Sequence, residues 1–181
     1  MIRTLVAPAP VFACIAALTL GACADQTAGP AAPPVSMQPG ATTFNARDFA
    51  WSTARGGGAI EGVLAYHPGG VRYVCRGRDV ILTPETAWSR LRMEILYGSS
   101  TSATVPLTIV RARTPATASG DYASYVRKTV CDGDDRFSFQ GLPDGAWFVI
   151  TLARPLDGQG DAVAVMRRVE TRGSMRTITL N

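Results

Sequence analysis

The sequence predicts a mainly β fold, a sandwich of about seven short strands, with one helix set into it. Three observations point there. Apolar and polar residues alternate over short runs such as "AIEGVLAYH" at 59–67 and "RFSFQGL" at 136–142. Turn sequences separate these runs: "HPGG", "LPDG" and "LDGQGD" combine Gly, Pro and Asp, which suit tight backbone angles. A helical period shows in one stretch only, 85–97.

The chain opens on Met1-Ile2-Arg3, and residues 4–22 carry no charge. A basic start, an apolar middle and a small-residue exit form the layout of an export signal, so 1–22 is assigned to one. The uninterrupted run Val11–Ala22 is shorter than the roughly 20 residues that a spanning helix needs. "LGAC" at 20–23 resembles the lipobox of bacterial lipoproteins. That resemblance implies acylation of Cys23 and a stable membrane anchor if two or more chains are added. Ala22-Cys23-Ala24 also fits ordinary A-x-A cleavage, so both processing routes stand. Ala24 after Cys23 points to the outer membrane, although Asp25 follows directly. Residues 23–43 comprise that cysteine and a tether with Pro30, Pro33, Pro34 and Pro39 and no periodic apolar pattern. The expected setting is the cell envelope, facing the periplasm.

Residues 44–181 are one domain's worth of chain, enough for a sizeable core. The formal charge of +4 falls to about +3 (4 − 1) once Arg3 is removed. A basic excess that small suits anionic headgroups or peptidoglycan and does not indicate nucleic acid. Of four cysteines, Cys14 leaves with the signal and Cys23 is the acylation residue. Cys75 and Cys131 remain. An oxidising compartment permits a bridge between them, and two buried thiols are the alternative.

The strands follow in order. In 59–67, Ile60, Gly62, Leu64 and Tyr66 share one face. "VRYVC" at 71–75 places Val71, Tyr73 and Cys75 opposite Arg72, Val74 and Arg76. "DVILT" at 79–83 reads as a buried strand. Thr83-Pro84-Glu85 then gives a helix start: a capping hydroxyl, proline at the first position and an acid near the positive dipole end. Trp88, Leu91, Ile95 and Leu96 follow at helical spacing, and Gly98 can close the helix. Residues 98–120 are poorly patterned, with Pro106 weighing against a strand. Residues 120–130 read as a helical turn passing into a strand. "AWFVITLA" at 146–153 is apolar on both faces, hence central. "AVAVMRRVE" and "MRTITL" close the fold.

"CDGDDRF" at 131–137 concentrates Asp132, Asp134 and Asp135. Counted from Asp132, an EF-hand calcium loop would need an oxygen ligand at Arg136, glycine at Phe137 and glutamate at Pro143. The pattern fails, and Asp-Gly reads as a hairpin turn. No metal site or other cofactor is expected.

The series "G-x-x-x-G-V" (Gly58, Gly62, Val63), "V-x-L" (Val80, Leu82) and "F-x-F-x-G-L-P-x-G" (Phe137 to Gly145) resembles the carboxypeptidase regulatory-like domain. The likeness covers 57–84 and 130–180. It implies a transthyretin-like (prealbumin) β-sandwich, and an accessory module rather than an enzyme. Two departures stand out. Asp135 takes the place where the family has a turn glycine, and 85–129 is an insertion.

Candidate binding residues are Arg72, Arg76 and Arg78, which share one strand parity, and Trp147, which faces away from Phe148. A solvated edge and a packed Trp are the plainer alternatives. His67, the sole histidine, sits in a turn without a nucleophile motif nearby. The expected function is a non-enzymatic, lipid-anchored envelope module for binding or assembly. Its partners would be the membrane through the anchor and another envelope protein. The alternative is a peptidoglycan- or carbohydrate-binding module.

Overall fold

The computed structural model describes residues 42–115 and 120–181. The export segment, Cys23 and the tether up to residue 41 lie outside the described residues. Along the chain the strands are β1 (Gly58–Leu64), β2 (Tyr73–Val74), β3 (Asp79–Pro84), β4 (Ser102–Pro106), β5 (Arg127–Val130), β6 (Arg136–Leu142), β7 (Gly145–Pro155), β8 (Val163–Thr171) and β9 (Met175–Leu180). The helices are α1 (Ala46–Phe49), α2 (Ala87–Tyr97) and α3 (Leu107–Arg113).

Two sheets face each other. The smaller has the order β6-β1-β9, with β9 parallel to β1. The larger has the order β4-β8-β7-β3-β5, and β2 pairs with the far end of β7. The expected strands form. The count reaches nine among the described residues, against about seven expected: β5 is the strand expected at the end of 120–130, and β4 is an addition from the 85–129 insertion. β4 extends one edge of the large sheet by pairing with β8, and β5 extends the other by pairing with β3. Pro106 is tolerated because it is the last residue of an edge strand, where proline interrupts the ladder least.

β7 is the middle strand and is covered on both faces. Its inward residues Trp147, Val149 and Ala153 join Ile60, Leu82 and Phe139 in the core between the sheets. Its outward Phe148 lies beneath the helices, where Met93, Leu96, Tyr97 and Val110 pack on Phe148 and Met166. This double burial is why the strand is apolar throughout. Trp147 is therefore not an exposed binding residue: it has no accessible surface. Its indole N–H donates to Thr171 Oγ1 at 3.1 Å, and Trp51 meets it edge-on with ring centroids 4.9 Å apart. Residue 145 must be glycine for this packing, since a Cβ there would run into the Trp51 ring.

α2 begins later than expected. Thr86 is the N-cap: its hydroxyl accepts from the Ser89 N–H at 3.1 Å, while Ser89 Oγ accepts from the Thr86 N–H at 2.8 Å. Thr83 and Pro84 instead complete β3, opposite Phe148 and Trp147. Strand pairing outweighs the local helix-start signal there. Gly98 closes α2 in the left-handed conformation, as expected. Ile95 is 54% exposed and anchors nothing.

The turns also differ from a hairpin series. The Asp132-Gly133 turn joins β5 of the large sheet to β6 of the small one, and Pro143-Asp144 carries the chain back. These are sheet-to-sheet crossings. The Cys75–Cys131 disulfide forms at one of them, with both cysteines buried. At the N-terminal side, Phe44 and Phe49 nest against Trp88, Tyr122 and Tyr125 at centroid distances of 5.3–6.3 Å. The Arg92 guanidinium lies 5.5 Å from the Trp88 ring centre. The buried apolar side chains of both cores come from Phe49 to Leu180.

Two measurements check this packing. Reducing the disulfide should lower stability by roughly 2–5 kcal/mol in urea titrations, the range for closing loops of this size. In alkaline titration, Tyr97 should ionise late, because burial first and then the neighbouring Tyr122 push its phenol from 10.0 up to about 12. The unfolded chain loses that proton earlier, so stability should fall between pH 10 and 12.

Candidate functional site

The chain between β2 and β3 makes an excursion from the sheet. β7 pairs with β3 up to Thr151 and with β2 from Arg154, leaving Leu152 and Ala153 opposite Cys75–Arg78. Arg78 N–H donates to the Cys75 carbonyl at 2.8 Å, which closes a turn. Arg72, Arg76 and Arg78 thus do not form a strand stripe. The expected 71–75 strand shrinks to Tyr73–Val74 because the chain bends on both sides of it.

Asp135 holds that excursion. It has no accessible surface, and its φ of 61° is left-handed, the conformation suited to the glycine that the family resemblance led us to expect. Its Oδ1 accepts from the N–H groups of Cys75 (2.9 Å) and Arg76 (3.1 Å), and its Oδ2 accepts from Arg72 Nη2 (2.9 Å). Its carbonyl accepts from the Leu64 N–H at 3.0 Å. Asp132 Oδ1 meanwhile accepts from the N–H groups of Asp134 and Arg136. These acids organise a turn. Among the described residues no three of His, Cys, Asp and Glu converge as a metal-binding group.

With Arg72 tied to Asp135, the other two arginines gain different company. Arg76, Arg78 and Arg154 line an open groove of about 610 Å³, together with Leu156, Asp157 and Gly158. A shallower extension runs past Arg78, Leu152 and Arg154 to Arg111 of α3. This strip lies on the outer face of the large sheet, bordered by Tyr97 at the end of α2 and by Leu107 and Arg111 of α3. Among the described residues, Arg76, Arg78, Arg111 and Arg154 form no salt bridge. Other arginines are engaged. Glu85 pairs with Arg90 and Arg168, and Glu170 with Arg168 and Arg172. Hydrogen bonds from Arg168 and then Arg172 hold the Glu170 carboxyl below its usual range. Burial presses the Arg168 guanidinium down, but its bonds to Glu85 and Glu170 outweigh that and raise it.

Of the four predicted binding residues, then, Arg76 and Arg78 meet, Arg72 is structural and Trp147 is core. Arg154 and Arg111 were missed. Arg154 carries a legible signal, as the charge that directly follows the apolar run 146–153; Arg111 reaches the groove only through the placement of α3. His67 is exposed beside the Pro68–Gly70 turn.

No protein-family model matches this chain, and neither does any curated protein. Among solved structures, it is similar to a proposed carbohydrate-binding protein from Pseudomonas aeruginosa, at 21% identity and a TM-score of 0.54. The match covers 76% of this chain and 96% of the other. At that identity the likeness speaks for the fold alone.

Asp135→Gly should keep the backbone conformation and lose the carboxylate. Hydrogen bonds to a charged group contribute about 1.5–3 kcal/mol each, so a loss of roughly 3 kcal/mol is expected in urea denaturation. Asp135→Asn, which retains an acceptor, should lose less.

Proposed function

We propose that this chain is a non-enzymatic, lipid-anchored envelope protein that acts as a binding or assembly module, with the arginine groove as its ligand-facing surface. The observation that carries this reading is the groove itself. Arg76, Arg78 and Arg154 converge on open space. Unpaired guanidinium groups offer planar, multidentate donors to anions and hydroxyl-rich ligands. The anchor rests on the lipobox-like "LGAC" sequence, and the accessory role on the resemblance to the regulatory-like domain.

A second reading, peptidoglycan or carbohydrate binding, gains support from the Pseudomonas aeruginosa neighbour and its proposed carbohydrate ligand. Trp147 plays no part in it. The groove arginines would carry recognition alone.

Cosedimentation of the mature chain with purified peptidoglycan tests the surface. Wild type should pellet, and Arg76→Glu with Arg78→Glu should weaken binding at least about tenfold, equivalent to about 1.4 kcal/mol. Equal pelleting of both would remove the groove from the proposal. Cys23→Ser should abolish fractionation with membranes and the acyl mass on the mature protein.

A further inference from the structure

We propose that the groove is a site for a phosphomonoester headgroup carried next to a hydrocarbon tail. This rests on the binding-module reading and names its ligand class.

Charge sets the headgroup. Arg76, Arg78, Arg111 and Arg154 border the groove and its extensions, and the acids that border them are Asp79 and Asp157. The local balance is two positive charges (4 − 2). A single carboxylate would neutralise half of that excess. A phosphomonoester carries about −1.5 to −2 at neutral pH and presents three acceptor oxygens, which suits several guanidinium donors at once.

Exposure sets the tail. Leu152 is 37% exposed and Leu156 is 50% exposed, both beside these arginines. A purely ionic ligand would leave the two leucines in water. A ligand with a hydrocarbon segment next to its phosphate covers them while the arginines take the charge. Neutral sugars fit poorly, because none of the side chains lining the groove of Arg76, Arg78 and Arg154 is an aromatic stacking surface.

The donors are held in place before any ligand arrives. The excursion that bears Arg76 and Arg78 is fixed by the Cys75–Cys131 bridge, by Asp135, and by the reciprocal bonds Gly77 N–H to Cys131 O (2.9 Å) and Cys131 N–H to Arg78 O (3.0 Å). Little backbone ordering is left for binding to impose, which favours affinity.

The test is titration calorimetry on the chain from Ala24 onward, which retains every side chain of both cores. The probes are short-chain phosphatidic acid below its micelle concentration, glycerol phosphate, short-chain phosphatidylcholine and an oligogalacturonate. Phosphatidic acid should bind at least about tenfold tighter than each of the others. Arg78→Gln and Arg154→Gln should each weaken it several-fold with unchanged thermal melts, and Leu156→Ser should weaken phosphatidic acid but not glycerol phosphate. Equal affinity for glycerol phosphate would overturn the tail and leave a free phosphate as the ligand. Oligogalacturonate binding that depends on Arg78, with no response to phosphatidic acid, would overturn the inference and leave the binding-module reading standing. Silence from all four probes would overturn the inference and leave the groove's role to the peptidoglycan cosedimentation.

Discussion

A buried carboxylate in an unusual backbone conformation holds the excursion that bears two of the groove's arginines. Asp135 stands at a crossing between the sheets and gathers three segments: β1 through its carbonyl, and Arg72 and the Cys75-Arg76 turn through its side chain. The disulfide lies beside it. A fully buried acid is tolerated because its oxygens are occupied by two N–H groups and a guanidinium. By capturing Arg72, Asp135 separates it from Arg76 and Arg78, which line the groove.

The architecture was readable where the local pattern and the tertiary environment agree. The β-rich class, most of the strands, the turn-rich connections and the disulfide follow from alternation, turn residues and cysteine counting, while the count of about seven falls short of the nine strands among the described residues. What escaped was decided at a distance. Trp147 alternates correctly with Phe148, yet nothing local says that α2 and α3 will cover one face and Trp51 the other side. Thr83 and Pro84 carry an ordinary helix start, and pairing with β7 cancels it. The additional strand, β4, lies in a stretch with little alternation, because its residues are at most part-buried at the sheet edge.

The candidate surface was legible in half. Arg76 and Arg78 were visible as a basic pair, but the strand geometry assigned to them was wrong. An excursion replaces it, and excursions are set by the partner strand's register. Arg111 was beyond reach for the same kind of reason: a seven-residue helix in an unpatterned segment brings it to the sheet. The insertion thus does more than decorate the scaffold. It widens the large sheet on both edges, and its Tyr97, Leu107 and Arg111 border the strip on that sheet's outer face.

The nest of Phe44 and Phe49 on Trp88, Tyr122 and Tyr125 has a mechanical meaning. A pull applied ahead of Phe44 would meet tilted and edge-on ring contacts to two segments of the insertion, α2 and residues 122–125, before it reaches β1. Such a load shears many aromatic contacts together instead of peeling one strand from its neighbour. The insertion is thereby the seat of the chain's leading segment, and a load on that segment would reach these rings ahead of the hydrogen-bonded ladder of β1.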